Sequence, residues 1–233
     1  MISVRIIAAF QKNKEISFIS HLDVQRTLQR AFRRANLPLA YTNGFNPHPK
    51  LSFATALATG FSSAAEWIDL ELEGEILPNE FIRRVNCALP MGLRFHTAFA
   101  ADDTIGTLSK LLSGARYIIT LFPDTPLPKE VLRVALESML NDREIFVMKK
   151  TKGGSRLTNI RPEIIRAYVL DNSDSDLQIG LTGTLTVAGG LRVETFLHAL
   201  FERLGSNGFA QVDRTSVCFT GTNQLPCLDD QKG

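Results

Sequence analysis

Three side chains early in the chain could move protons: His21 and Asp23 in the run FISHLD, and His48 between two prolines in NGFNPHPK. An imidazole titrates near neutral pH and a carboxylate is its natural partner, so His21, Asp23 and His48 are the candidates for acid–base work. The substrate they would suit carries phosphate. Arg26, Arg30 and Arg33 recur at i, i+4 and i+7, which places them on one helical face with Arg34 beside them. No glutamate stands four residues from any of them, so the cations lack partners within the helix. That face reads as anion-binding, against the plainer reading of a solvated helix surface. Asp23 has a structural alternative of equal weight, because Ser20-x-x-Asp23 is the spacing of an N-terminal capping box.

Downstream, Leu37-Pro38 and Asn43-Gly44 end the helix and turn the chain, while Pro47 and Pro49 fix the backbone on both sides of His48. A residue before proline is pushed to extended geometry, so NPHPK is expected to be a stiff extended segment. It would either hold Asn43, Asn46, His48 and Lys50 near the arginine face as a recognition loop, or serve as a rigid crossover. A second basic loop, KGGSR from Lys152 to Arg156, could hold phosphates through backbone amides and Arg156, or be a hairpin tip.

Other chemistries find no pattern. There is no HxH, HExxH or GxGxxG, GxxxxGK or GxSxG run, so no metal and no cofactor is expected, and a metal held by His21, Asp23 and His48 is set aside. Cys87, Cys218 and Cys227 form no CxxC pair and read as reduced thiols, with Cys87 expected in the core. His198 lies four residues from both Glu194 and Glu202 and reads as a surface ion-paired histidine.

The elements that position these residues come from patterning. The chain has 233 residues, 44% hydrophobic and 21% charged, enough for one large domain or two of about 100 residues, of which two is preferred. No apolar run reaches the ~18 to 20 residues that span a bilayer, and MISVRIIAAF is quickly followed by Lys12 and Lys14, unlike a signal peptide. No membrane association and a cytoplasmic location are expected. Net charge is only +2, but it is uneven: residues 11–50 hold seven basic against two acidic side chains, and residues 145–161 hold five basic and no acidic ones.

SVRIIAAF, LSFATAL, IDLELE and LRFHTAFA read as strands, separated by helices from about Leu22 to Ala35 and from Pro78 onward. That order, β-α-β-β-α-β, is the split βαβ order of ferredoxin-like folds. After a polar stretch, ADDTIGTLSKLLSG, the pattern recurs: strand RYIITLF, helix LPKEVLRVALESML, strand EIFVMKK, the basic loop TKGGSRLTNIRP, strands IIRAYVL and LQIGLTGTLTV, helix LRVETFLHALFERLG with Gly205 as its cap, and closing strand TSVCFTG. The expected fold is therefore α+β, two ferredoxin-like halves, the second with an extra strand. Residues 1–100 form the first half, 101–114 a linker, 115–221 the second half and 222–233 a tail.

The run FISHLDVQRTLQRAFRRANLPLAYTNGFNPHPKLSFATALATGFSSAAEWIDLEL, continued loosely by LPMGLRF and NIRPEI, resembles a bacterial family of uncharacterised radical-SAM-associated (radical-SAM-linked) proteins. Its members are similar to a domain found beside, or fused behind, radical SAM proteins of the B12-binding type. The resemblance implies a radical SAM protein as partner and marks His21, Asp23, Arg26, Arg30, Arg34, Asn46, His48, Lys50 and Ser52 as the positions that carry the pattern. It implies no activity. The chain lacks a CxxxCxxC cluster motif, so it would be the accessory half of such a system.

Three functions follow as expectations. The first is an accessory module that presents the arginine helix, the NPHPK loop and the KKTKGGSR loop to a polyanion, RNA foremost, although the aromatic-rich RNP1 pattern of RNA-recognition motifs is missing. The second is an enzyme acting on a phosphate-bearing substrate through His21, Asp23 and His48. The third is a docking partner of the radical SAM protein without substrate contact.

Overall fold

A computed structural model describes residues 3–101, 104–151, 154–171, 176–221 and 224–227. The first part of the chain contains β1 (Ser3–Lys12), a 3-10 turn (Lys14–Ile16), α1 (His21–Arg34), β2 (Leu51–Phe53), β3 (Ser62–Glu73), α2 (Pro78–Ala88) and β4 (Leu93–Ala101). The rest contains α3 (Leu108–Leu111), β5 (Leu112–Pro123), α4 (Lys129–Asn141), β6 (Phe146–Thr151), β7 (Gly154–Asn159), a second 3-10 turn (Arg161–Glu163), β8 (Ile164–Val169), β9 (Leu177–Thr186), β10 (Gly189–Gly190), α5 (Val193–Leu204) and β11 (Gly208–Phe219).

Nine of these strands form one mixed, mostly antiparallel sheet. Its path runs β10-β9-β5-β11-β3-β1-β4, with β8 added to β9 and β2 to β3. β11 joins the two parts: it pairs antiparallel with β5 along most of its length and parallel with β3 at Asp213↔Ser62 and Arg214↔Ser63. β6 and β7 form a separate hairpin. The basic run TKGGSRLTNIRP is thus a strand and a 3-10 turn as much as a loop.

Alternation along the strands explains the layering. Ile6, Ala8 and Phe10 of β1 and Ile68, Leu70 and Leu72 of β3 pack on Val24, Leu28 and Phe32 of α1 and on Phe81 and Val85 of α2. Tyr117, Ile119 and Leu121 of β5 and Val212 of β11 pack with Leu132 and Leu136 of α4 and Phe196 and Leu200 of α5. Ile7, Ala9 and Trp67, on the opposite face of β1 and β3, are covered by Ile105, Leu108, Leu112 and Leu225. The stretch read as a linker, 101–114, therefore contains α3 and part of this cover, and Leu225 from the stretch read as a tail completes it. Cys87 is exposed on α2 and lies outside the core, where Phe81 and Val85 hold the buried positions instead.

Helix ends follow their caps. Asp23 N donates to Ser20 Oγ at 3.2 Å, and the Ser20 hydroxyl donates to the Asp23 carboxylate at 2.7 Å, which starts α1 at His21. At the other end Asn36 takes φ 51°, with Asn36 N donating to Arg33 O and Leu37 N to Phe32 O, a Schellman closure with asparagine at the left-handed position. Gly205 ends α5 at φ 60°. Among the described residues no helix is long and apolar enough to cross a membrane.

Candidate functional site

The segment after α1 makes a hairpin turn. Tyr41 and Pro49 pair as an antiparallel bridge, Lys50 N donates to Ala40 O at 2.8 Å and Thr42 N donates to His48 O at 2.8 Å. In PHPK the prolines have no N–H, so donors remain at positions 48 and 50 only, and both point at the outgoing strand: His48 N donates to Thr42 Oγ1 at 3.0 Å. NPHPK is thus the return arm of a tied loop, with Asn43, Phe45 and Asn46 exposed at its tip. The loop is fixed to β3, since Ala40 N donates to Glu71 O, Glu71 N to Lys50 O and Glu73 N to Pro38 O.

This docking forms a cleft of about 880 Å³ at the β2 edge. Gln25 and Gln29 of α1 form one wall, Thr42, His48 and Lys50 of the loop another, and Ser52 with Thr107 close it. Two ion pairs stiffen its floor. Arg5 grips Asp69, with Nη2 to Oδ2 at 2.6 Å, while Nη1 donates to the Ile105 carbonyl and Nη2 to that of Gly106. Lys50 Nζ meets Glu71 Oε2 at 2.5 Å. What remains for a ligand is a set of amide, hydroxyl and imidazole groups, with Arg26 and Arg30 on the adjoining helix face.

The expected residues fall into distinct places. His48, Lys50 and Ser52 line the cleft; Asn43 and Asn46 stand at the loop tip above it. Arg26 is paired with Asp23 at 3.2 Å, a partner three residues back and outside the four-residue spacing, so this cation does have a partner within the helix. Arg30 donates to Thr27 Oγ1 at 3.3 Å, and Arg33 is exposed. Arg34 Nη2 donates to Ala88 O at 2.7 Å and so caps α2, while Arg84 returns the contact by donating to Ala35 O and Asn36 O at the end of α1. Arg156 is exposed on β7 opposite Lys149, and Lys152 lies outside the described residues.

His21 is half-buried in another cavity, with its ring edge on Phe53 at 4.7 Å and Lys12, Glu66 and Phe10 around it. Burial holds its pKa below the ordinary histidine value; Glu66 works against this, and Arg214 and Lys12 add to it. Asp23 is exposed and held ionised by the Ser20 hydroxyl and then by Arg26. His21, Asp23 and His48 are thus engaged separately, in a cavity, at a helix cap and in the cleft. Among the described residues no group of three or more His, Cys, Asp or Glu side chains could hold a metal ion.

Beside His21 lies a buried charged cluster without a motif of its own. Arg214 of β11 donates to both carboxylate oxygens of Glu66 on β3, at 2.8 and 2.5 Å, and Lys12 Nζ donates to the carbonyls of Ser17 and Ile19 at 2.7 and 2.9 Å. Burial pushes the Lys12 ammonium below its ordinary pKa and the Tyr117 hydroxyl above its own. Gln25 and Gln29 also escaped the sequence reading. Their signal was present: they sit at i and i+4, between the apolar stripe of Val24 and Leu28 and the arginine stripe of Arg26 and Arg30.

The pattern of a family described as an uncharacterized protein conserved in bacteria (DUF2344) matches residues 5–190. The chain belongs to that family. No curated protein matches this DUF2344 chain. Among solved structures it is similar to a chain of a Cbf5-Nop10-Gar1 complex, at 13% identity and a TM-score of 0.57, covering 97% of this chain and 53% of that one. It is also similar to a chain of an H/ACA RNP bound to a substrate RNA containing 2'-deoxyuridine, at 13% identity and a TM-score of 0.51, covering 95% and 51%. The DUF2344 chain thus spans about half the length of the solved chains it matches, and at this identity the likeness is one of fold.

Proposed function

We propose that this protein is a non-catalytic accessory subunit that binds RNA through α1 and the 38–50 loop. The observation that carries the reading is the cleft itself: about 880 Å³, walled by Gln25, Gln29, Thr42 and His48, beside the exposed cations of Arg26, Arg30 and Arg33. Amides and hydroxyls suit the edges of an unpaired base, and a helix face of arginines suits the backbone that carries it. The use of a similar fold in an RNP bound to substrate RNA supports RNA over other polyanions. In this reading the chain is two ferredoxin-like units, β1-α1-β2-β3-α2-β4 and β5-α4-β8-β9-α5-β11, with the β6–β7 hairpin as the addition. The proposed partner is a radical SAM protein, on the strength of the FISHLD to NPHPK run.

The test is anisotropy binding of a single-stranded RNA oligonucleotide across a salt series. Binding should weaken steeply with salt, and replacing Arg26, Arg30 and Arg33 by alanine should reduce the log–log slope by about 2, at ~0.7 per lost phosphate contact. Salt-independent binding, or none, overturns the reading.

A further inference from the structure

One face of the sheet carries only the short α3, at the Leu112 end of β5. Glu66 projects on the side of Ile68, Leu70 and Leu72, and Arg214 on the side of Val212; because the two side chains meet, α1, α2, α4 and α5 all lie on one face. The opposite face is covered over β1, β3 and the Val217–Phe219 end of β11 by Ile105, Leu108 of α3 and Leu225, whereas the helices that cover the middle of β5 and β11, α4 and α5, pack on the other side. The register places its side chains in rows. Arg166, Thr182 and Arg116 form one row, Tyr168, Gly180, Ile118 and Asp213 the next, then Gln178, Thr120 and Gln211, and finally Phe122 and Phe209.

Aromatic rings on this face are exposed rather than tucked away: Phe209 is 66% exposed, Tyr168 41% and Phe122 40%. Phe122 and Phe209 stack on each other, 4.7 Å apart and 13° from parallel. Tyr168 lies over Gly180, where a Cβ would come within 2.5 Å of the ring, so the tyrosine leans across the sheet. The Arg166 guanidinium sits 4.7 Å from the Tyr168 ring centre. A cavity of about 480 Å³ opens between these groups, lined by Arg116, Arg166, Tyr168, Ile118, Thr182 and Thr215. Arg116 also donates to the Cys227 carbonyl at 2.9 Å, which places residues 224–227 along that border.

We propose that this face is a second binding surface, a stacking platform for single-stranded nucleic acid. Exposed rings at opposite ends of this face, about 16 to 20 Å apart by strand spacing and rise, suit unpaired bases a few nucleotides apart on one strand, each of which offers a π-face whatever its identity. Arg116 and Arg166 supply positive charge against the single carboxylate of Asp213 in these rows. Gln178, Thr120 and Gln211 lie between the rings, with Gln178 Nε2 donating to Thr120 Oγ1 at 3.2 Å, and together with Thr182 in the Arg116 row they make the surface polar enough for base edges. The platform needs no part of the α1 cleft, which lies at the β2 edge of the other part of the sheet.

The experiment is anisotropy binding of a fluorescein-labelled uridine 10-mer to the full chain carrying Phe209→Ala, Phe122→Ala or Tyr168→Ala, with circular dichroism melts to show that each variant is folded. Each alanine should weaken binding roughly 5- to 150-fold without changing the salt slope, as expected for lost base stacking, and Tyr168→Phe and Phe209→Tyr should restore it. Folded alanine variants that bind like the wild type overturn the proposal, as does a wild type that binds no oligonucleotide or variants that lose only a protein partner. Loss of the salt slope in the Arg26/Arg30/Arg33 variant with no effect of the aromatic ones would leave the α1 reading standing and the platform refuted; the converse would do the reverse.

Discussion

Glu66 and Arg214 meet across the only parallel strand pair among the described residues, each side chain 4% exposed, with a guanidinium nitrogen 2.5 Å from a carboxylate oxygen. They are 148 residues apart in the chain, and their contact fastens β3 to β11 from within. Burial alone would lower the Arg214 pKa, but Glu66 and the Tyr117 hydroxyl outweigh it and hold the guanidinium above its ordinary value. A buried ion stripped of its partner is costly, whereas two apolar residues of similar volume can replace a pair with little loss. Arg214→Met should therefore reduce the unfolding free energy by about 3 to 5 kcal/mol, and adding Glu66→Leu should recover most of that. Urea titrations of both variants give the comparison; a double variant no more stable than Arg214→Met would contradict it.

His21 should make stability fall on the acid side of neutrality. Above about pH 6.5 the imidazole is neutral in both folded and unfolded chains. As pH drops below that, the unfolded chain takes up a proton that the folded chain, with its depressed pKa, does not, so unfolding gains until the folded value is reached. His21→Gln should lose less urea-midpoint stability than the wild type between pH 7.5 and 5.5. Parallel losses would show that other groups set the dependence.

Arg34 and Arg30 share a helix but should behave differently. Arg34 donates to the last carbonyl of α2, so Arg34→Ala should cost about 1 kcal/mol in thermal or urea unfolding. Arg30→Ala, removing only a 3.3 Å contact to Thr27, should stay within about 0.5 kcal/mol of the wild type. A reversed order would mean that the helix-to-helix cap is not the stabilising contact.

Thr42 is the acceptor that holds the His48 amide in the loop. Thr42→Val keeps the shape and removes the oxygen. The His48 amide should then exchange with deuterium at least several-fold faster, while the Leu70 amide, in the centre of β3, keeps its rate. Unchanged exchange at His48 would mean that the return arm is fixed from the β3 side alone.

Periodicity made the main elements legible because most are amphipathic. Val24, Leu28 and Phe32 of α1, and Phe81 and Val85 of α2, are buried as their spacing requires. What local pattern cannot carry is pairing at long range. Nothing near Ser62 or Asp213 signals that their strands run side by side, and the buried Glu66 and Arg214 read as ordinary surface charges until they are brought together. Ile105, Leu108 and Leu112 are too few in a polar stretch to register as a cover for the sheet, yet all three are buried. Cys87 follows the buried Phe81 and Val85 by six and two residues, and spacing of that kind puts it on the far side of the helix from the apolar stripe.

The site was partly legible for similar reasons. Proline and glycine signals located the 38–50 loop, and helical spacing located the arginines. Their partners were harder to see: Asp23 sits three residues from Arg26, and Ala88 contributes only a carbonyl to Arg34, which has no signature in sequence. The aromatic face escaped because its rings come from β5, β8 and β11, one or two per strand, where a compact motif would have gathered them in one.

β11 follows every other strand among the described residues and yet lies in the interior of the sheet, between β5 and β3. A ribosome therefore finishes β3 long before the strand that covers its Ser62–Ser63 edge exists. Until then that edge, and the apolar positions of β5 that await Val212 and Val217, face whatever is nearby. The architecture makes closure of the β3 edge wait on contacts of large sequence separation, which favours slow assembly and gives chaperones or a bound partner a defined interval in which to act.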